Sequence, residues 1–428
     1  MPQVPIERHQ LANGLRVILS HDNRAPIVAV NLWYEVGSRH ENPGRTGFAH
    51  LFEHMMLQGS ANVAKGEHVN LVEAAGGTWN ASTWLDRTNY FETLPSHELE
   101  LALWLESDRL ASLLSAMTQE KLDNQREVVK NERRWRVDNQ PYGTSDEKIQ
   151  KLLFPESHPY HHPPIGSMED LNAASLTDVT DFFTAYYAPN NAVLTVAGDF
   201  DPASALAMIE KHFGPIPANE SIPAGPSVAI ESIIGSEMRE IVADRVPLPR
   251  IYAAYRMPPF GTDGFDALDV AVDLLATGRA SRLYRALVRD RHLAQDVAGF
   301  AIPFVGGAAI LQLECTARPG VEPDVLERAL YAEIDRLADE GPTEDELERV
   351  RNLRAAGIES SLERASERAD RLSQYTCLFD QPELINGEVS RYAAVDAARV
   401  REGMAASLGR DNRVVLTYLP AESEDGAA

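Results

Sequence analysis

At 428 residues the chain is too long for one ordinary hydrophobic core, and two or more domains are expected. Its composition, 44% hydrophobic and 24% charged, excludes a disordered or fibrous chain. A formal net charge of −24 disfavours nucleic-acid binding; the excess acid serves solubility or lines a cavity that draws basic peptides.

The first eight residues have no apolar core of signal-peptide type, and no run reaches the roughly 18 apolar residues of a membrane span. Cys315 and Cys377 are the only cysteines, so neither a disulfide framework nor a cysteine-type zinc site is expected. A cytoplasmic, membrane-free protein follows. Residues 7–11 and 15–19 read as strands joined at Asn13-Gly14, a strong hairpin signal. The Val- and aromatic-rich stretch 27–36 is a further strand, followed by a polar loop, 37–45.

Residues 47–57 then read as helix, with no proline and no glycine after Gly47. His50 and His54 are four apart, so their imidazoles share a face one turn apart. Two neutral imidazoles so spaced bind one Zn²⁺. Glu53 stands beside that face, where a carboxylate reaches water at a metal without being a ligand. His-x-x-Glu-His is the inverted form of a zinc-protease motif. The apolar flanks Phe48, Leu51, Phe52, Met55 and Met56 predict a buried helix, and buried histidines beside a buried carboxylate need partners. The plain alternative is two surface histidines with a glutamate between them.

Downstream, 66–75 reads as helix stopped at Gly76-Gly77, 78–83 and 88–94 as strands, and 99–114 as helix. A long polar helix, 118–137, carries Glu120, Glu127 and Glu132. Zinc in a hydrolase keeps three protein ligands and one open position, so two histidines need a third ligand. Spacing does not choose among these glutamates, each of which also reads as a solvated residue paired with Arg126, Lys130 or Arg133. A loop at 155–164 holds His158, His161 and His162, read as structural. Then come a helix at 176–187 and a strand at 191–197.

The Pro-rich segment 214–226 reads as a linker, after which the pattern starts again. The strand at 251–256, the helix at 265–275, a hairpin at 301–316 turning at Gly306-Gly307, and a long charged helical region at 343–372 follow. Asn412, Val415, Leu416 and Thr417 match Asn190, Val193, Leu194 and Thr195 in register. The expectation is an α+β protein of two similar halves related by internal duplication, each a mainly antiparallel sheet packed with helices. The boundaries are 1–213 for a zinc-binding domain, 214–227 for the linker and 228–428 for the second domain. The acidic tail at 422–425 is expected to be disordered.

Three stretches carry a resemblance: His50-Leu51-Phe52-Glu53-His54; Gly76-Gly77-Thr78-Trp79-Asn80-Ala81-Ser82-Thr83; and Arg126-Glu127-Val128-Val129-Lys130-Asn131-Glu132. With them the chain resembles the pitrilysin/insulinase family of zinc metallopeptidases, most of all the branch that includes mitochondrial processing peptidase and its bacterial relatives. The resemblance spans nearly the whole chain and is specific in the first half. It implies one Zn²⁺ held by His50, His54 and Glu132, the last closing an Arg-x-Val-x-x-x-Glu pattern. Glu53 is then the general base, and no covalent intermediate forms. Asn80 and Ala81 are implied to pair with an extended peptide main chain; an ordinary sheet strand is the alternative.

Two departures from the family pattern stand out. Relatives carry a glutamate seven residues before the third ligand, where this chain has Gln125, leaving Glu127 as a candidate accessory carboxylate. Relatives also carry an Arg and a Tyr in the second half that grip substrate. Arg289 fits, but Gln295 stands near the tyrosine's place and Tyr284 lies on the wrong side of Arg289. In relatives of this length two chains close a chamber, so the resemblance implies a homodimer or, favoured here, a heterodimer with a zinc-free chain supplying the Arg/Tyr grip. The expected function is a zinc metalloendopeptidase acting on unfolded or short peptides. The alternatives are a non-catalytic scaffold subunit, as in the core proteins of a respiratory complex, and a narrow peptide-maturation protease.

Overall fold

The computed structural model describes residues 3–421; the tail at 422–425 lies outside them. Strands β1 (Glu7–Gln10), β2 (Arg16–His21) and β3 (Ile27–Tyr34) lead to helices α1 (Phe48–Met55) and α2 (Glu67–Ala74). Next come β4 (Thr78–Thr83), β5 (Thr88–Pro95), α3 (Leu99–Ser112), α4 (Gln119–Arg133) and α5 (Ser145–Leu153). They are followed by α6 (Met168–Ala173), α7 (Leu176–Tyr186), β6 (Ala192–Gly198) and α8 (Pro202–Phe213). After the Pro-rich segment come β7 (Met238–Asp244), β8 (Arg250–Met257), α9 (Asp263–Ala276), β9 (Ala294–Ile302) and β10 (Ala309–Ala317). The chain ends with α10 (Pro323–Glu340), α11 (Glu344–Leu362), α12 (Ala365–Phe379), α13 (Leu384–Ala393), α14 (Ala397–Ser407) and β11 (Arg413–Pro420). Among the described residues no helix is long and apolar enough to cross a membrane.

Two compact units form, but they are not the sequential domains 1–213 and 228–428. The first comprises Met1–Arg133, His162–Pro226 and Gly357–Glu388; the second comprises Arg134–His161, Ser227–Ala356 and Val389–Ala428. The expected linker does contain one crossing, at Pro226/Ser227. Two segments are exchanged besides: α5, from the first half of the sequence, belongs to the second unit, and α12, from the second half, to the first.

The first unit's sheet has the order β1-β2-β6-β3-β5-β4, and the second unit's the order β7-β11-β8-β10-β9. In each, one pair is parallel (β2 with β6, β7 with β11) and the rest are antiparallel. Setting β1 aside, strand order, direction and chain order agree, so the duplication is visible in the geometry.

Exchange explains why β3 is buried on both faces. Val28, Val30 and Leu32 belong to the main apolar core, to which α3 contributes. On the other face small residues let α12 come close: Ala29 and Ala197 meet Ala365 and Ala369. Polar residues of the same face are satisfied from the helix, as burial requires. Asp370 Oδ1 accepts from Asn31 Nδ2 (3.1 Å), Trp33 Nε1 (3.0 Å) and Asn89 Nδ2 (3.1 Å), and Ser373 donates to Thr195 Oγ1 at 2.8 Å. In the second unit α5 lies on β8 and β11, with Arg256 Nε donating to Leu153 O at 2.8 Å.

The helical region expected at 343–372 is broken between Leu362 and Ala365, with neither glycine nor proline to mark the place. Arg368 makes the break stable. Its Nη1 donates to Leu362 O (2.7 Å) and Glu363 O (3.1 Å), the carbonyls a helix end leaves over.

The repeated asparagine also has a structural cause, one residue away from the expected register. Asn412, not matched by Asn190, is the counterpart of Asn191. Asn191 Nδ2 donates to Tyr186 O (2.9 Å) and toward Glu35 O (3.5 Å); Asn412 Nδ2 donates to Ser407 O (2.6 Å) and Arg256 O (2.7 Å). Each asparagine thus ties the carbonyl five residues back, ahead of the last strand, to the neighbouring antiparallel strand's end. Asn190 instead bonds Asn219. Asn412 is fully buried and also accepts from Ile234 N at 3.2 Å. Asn412→Ala should therefore destabilise the protein by about 2–4 kcal/mol, because it strands several buried backbone groups at once. Urea unfolding followed by circular dichroism measures this, and a loss below about 0.5 kcal/mol would contradict the assigned role.

Candidate functional site

The metal-motif helix begins where the backbone needs glycine. Gly47 has φ +89°, and a Cβ there would stand 2.9 Å from Ile165 O. Gly166, at φ +68°, packs against it: a Cβ there would lie 2.3 Å from Gly47 Cα. The free N–H groups of the helix start go to Glu41, whose Oε2 accepts from Gly47 N (2.9 Å) and whose Oε1 accepts from Ala49 N (2.7 Å). Burial pushes the Glu41 carboxyl up to about 8, against the pull of those N–H groups. Nothing in the local sequence pointed to Glu41. Along α1, Phe48, Leu51, Phe52, Met55 and Met56 are buried as expected, and the Phe52 ring lies 4.4 Å from the Tyr187 ring, tilted by 46°.

The other face carries His50 and His54, half-buried, and α4 packs against it. Helix α4 starts at Thr118, whose hydroxyl accepts from Lys121 N at 3.3 Å, and its last turn presents Glu132. Arg133 Nη1 holds that turn by donating to Gly166 O at 2.6 Å. Glu132 Oε2 lies 3.7 Å from His50 Nε2 and 3.3 Å from His54 Nε2, and the three ligand atoms lie within 4.8 Å of one another. The His50 separation lies beyond hydrogen-bond reach, and the His54 separation is at its long end. They match what a shared ion dictates: bonds of 2.0–2.1 Å at the tetrahedral angle put ligand atoms about 3.4 Å apart. Two imidazole nitrogens and one carboxylate oxygen fit a zinc-type ion.

Glu53 Oε2 accepts from Thr83 Oγ1, on β4, at 2.5 Å. Burial raises its carboxyl; the Thr83 bond and the charges of His54 and Arg87 pull it down, and Glu132 pushes it up again. β4 is the sheet's edge strand and packs against α1. Asn80 is exposed on it, and Asn80 Oδ1 accepts from Ala81 N at 2.9 Å.

The remaining expected residues are placed as follows. Gln125 is buried on α4, two turns before Glu132 and on its face. Glu127 points elsewhere, half-exposed in a 2.7 Å ion pair with Lys130, so it is not brought to the site. Arg289 lies in the second unit on the π-helical turn Tyr284–Asp290, exposed and bound by Asp290 at 2.7 Å. Gln295 is exposed on β9. The loop histidines serve structure: His158 Nδ1 accepts from Tyr160 N (3.1 Å), His161 Nδ1 bonds Phe154 O (2.7 Å), and His162 Nδ1 stands 3.6 Å from Glu41.

The family model described as Insulinase (Peptidase family M16) matches residues 16–152, and the model described as Peptidase M16 inactive domain matches 173–354. The zinc protease PqqE of Helicobacter pylori is 30% identical over 368 residues, covering 85% of this chain and 82% of that protein. The chain belongs to peptidase family M16. A crystal structure of a Helicobacter pylori protease has a TM-score of 0.91 to it at 26% identity, covering 97% of this chain and all of that one. The Pseudomonas fluorescens structure described as a peptidase M16 inactive domain shares the fold, with a TM-score of 0.86 at 16% identity over 98% of this chain and 99% of that one. Within this M16 chain the second copy of the motif helix is blank. With Gly264-Phe265 of α9 set against Gly47-Phe48, Ala267, Val270 and Ala271 stand where His50, Glu53 and His54 do.

The M16 chain also buries a charged cluster that the sequence reading passed over. His68 Nε2 lies 2.9 Å from Glu92 Oε1 and 4.0 Å from Glu106 Oε1, and Arg109 grips Glu106 while lying 4.2 Å over the Tyr90 ring. A signal was present: Glu92 is in phase with buried Tyr90 and Leu94 on β5. Arg109 supplies a cation to the cluster. Burial pushes the Glu106 carboxyl up to about 8, helped by Glu92, and lowers His68 to about 4. The raised carboxyl adds stability that is full below its ordinary value near 4.5 and is lost as pH rises through about 8. The lowered imidazole acts the opposite way, and only below about 6.5. Between these limits Glu106 acts together with Glu41, which burial also pushes up to about 8. Stability should fall from pH 6.5 to 8, and Glu106→Gln should take about 2 kcal/mol out of that fall. Urea midpoints at the two pH values check it.

Proposed function

We propose that this M16 chain is a zinc-dependent metalloendopeptidase acting on unfolded or short peptides. One observation carries the reading: His50, His54 and Glu132, from α1 and α4, bring ligand atoms within 4.8 Å of one another beside a half-buried carboxylate, Glu53, that is not one of them. His50 and His54 would hold the ion through Nε2, and Glu132 through Oε2. When bound, zinc supplies a Lewis acid that polarises the scissile carbonyl and acidifies water toward about pH 7. Glu53 takes a proton from the attacking water onto its carboxylate and returns it to the leaving amine. The open edge of β4 at Asn80 and Ala81 takes an extended peptide as an added strand, which selects for exposed backbone more than for side chains. Gln125 can orient by hydrogen bonding but cannot ionise, and Glu127 is engaged with Lys130.

Glu53→Gln should keep about one zinc per chain and lose peptide cleavage by at least about 100-fold. His50→Ala should lose both. Metal analysis and cleavage of an unstructured fluorogenic peptide measure them; a Glu53→Gln protein of unchanged rate would refute the base assignment.

We further infer a second M16 chain as partner, in preference to a homodimer, because Arg289 is without the companion tyrosine and Gln295 stands near its place. Purified alone, the chain should then bind zinc yet cleave slowly, and the chain that co-purifies from the native source should restore the rate. Full activity of the lone chain would exclude a required partner. The complete ligand set favours an enzyme over a scaffold subunit, and a substrate screen separates general degradation from maturation of one peptide.

A further inference from the structure

Thr83 is the last residue of β4, and its hydroxyl donates to Glu53 Oε2 at 2.5 Å. We propose that Thr83 is a positioning residue for the base: its side chain sets the rotation of the Glu53 carboxylate while its main chain lines the edge where a peptide is laid. The inference rests on the peptidase reading and deepens it.

Three observations support the double role. The first is register. Thr83 pairs with Thr88, and just beyond the strand Trp84 N donates to Arg87 O at 2.8 Å. Backbone groups alternate along a strand, so if residue 84 turns to β5, residues 82 and 80 do too, and residues 83 and 81 turn to the open edge. Ala81 agrees: its N–H meets Asn80 Oδ1 instead of β5. Thr83 therefore presents its own N–H and C=O to an incoming strand.

The second is direction. Side chains stand perpendicular to the sheet, so Thr83 can offer its backbone in the plane and its hydroxyl to α1 out of it. Its β-branch leaves few χ1 rotamers, so the hydroxyl is set by the strand and not by Glu53. A glutamate side chain has three torsions to fix, and a buried carboxylate without a fixed partner would waste part of its time misdirected. The bond to Oε2 leaves Oε1 for the proton in transit.

The third is anchorage. The strand end cannot drift, because Arg87 Nη1 donates to Ser82 O (2.8 Å) and Asn89 Oδ1 (2.9 Å), and Asn89 Nδ2 donates to Asp370 Oδ1 (3.1 Å) on α12. The base is thus referred through Thr83 to the rigid centre of the sheet.

Thr83→Val keeps the shape and removes the hydroxyl; Thr83→Ser keeps the hydroxyl and removes the methyl. With full-length zinc-loaded protein and an unstructured fluorogenic peptide, Thr83→Val should lower kcat by about tenfold or more with KM within about twofold. Zinc content, and affinity of the metal-stripped protein for the same peptide by calorimetry, should stay unchanged. Thr83→Ser should recover most of kcat. A crystal structure of Thr83→Val should show the Glu53 carboxylate turned or in more than one orientation. The proposal is overturned by an unchanged kcat in Thr83→Val, by a fall in kcat matched by weaker peptide binding, by a Thr83→Ser protein as slow as Thr83→Val, or by a single unchanged Glu53 orientation. If the unaltered protein shows no zinc-dependent cleavage even together with the chain that co-purifies from the native source, the peptidase reading fails instead, and the Glu53 orientation in the Thr83→Val crystal still decides for or against Thr83.

Discussion

Two glycines set back to back, Gly47 and Gly166, are the contact on which the ligand geometry depends. A metal site tolerates errors of only about half an ångström, yet its ligands come from helices far apart in the chain. The loop at Gly166 meets both. Its backbone lies against the start of α1, closer than any side chain would allow, and its carbonyl holds Arg133, the neighbour of Glu132. Ser167 N adds a 3.0 Å bond to Thr46 Oγ1, just ahead of the helix. The histidines and the glutamate thus share one mechanical reference. A methyl group on either glycine would move one helix relative to the other, however intact the ligands themselves.

The same economy appears in the duplication. Each unit repeats one sheet order and closes its last strand with a buried asparagine, and each borrows a covering helix from the other half of the sequence. The His-x-x-Glu-His motif stands in one copy only. Helix α9 has alanine and valine at the motif positions, and its acids Asp269 and Asp273 are bound by Arg354 in a structural latch. The fold is therefore doubled while the motif is single.

What the sequence could reveal divides along the range of the forces involved. The hairpin at Asn13-Gly14, the stop at Gly76-Gly77 and the paired histidines are local chemistry, and they were legible. The choice of Glu132 was not, since its partners lie on another helix; only resemblance to the family selected it. Burial of Glu41, Glu92 and Glu106 is decided by tertiary neighbours, and a charged letter carries no mark of it. The break before α12 depends on Arg368 reaching back to its own upstream carbonyls. The asparagine repeat was seen but set one residue out of register. Val, Leu and Thr are common on any strand, so their coincidence outweighed the asparagine, whose hydrogen bonds alone define the true correspondence.

The exchange of α12 bears on how the protein is made. The face of the first sheet formed by Ala29, Asn31, Trp33, Thr195 and Ala197 is finished only by residues near 365–373. Synthesis runs from the N-terminus, so that face emerges from the ribosome long before its cover. For most of translation the first unit's sheet has one face uncapped, with Ala29 and Ala197 exposed and Asn31 and Thr195 without their partners on α12, a state open to chaperones and to aggregation. Nor can the gene be cut at the Pro-rich linker into two self-sufficient pieces: a fragment ending at residue 213 would carry His50, His54 and Glu132 and still lack the helix that covers one face of its sheet.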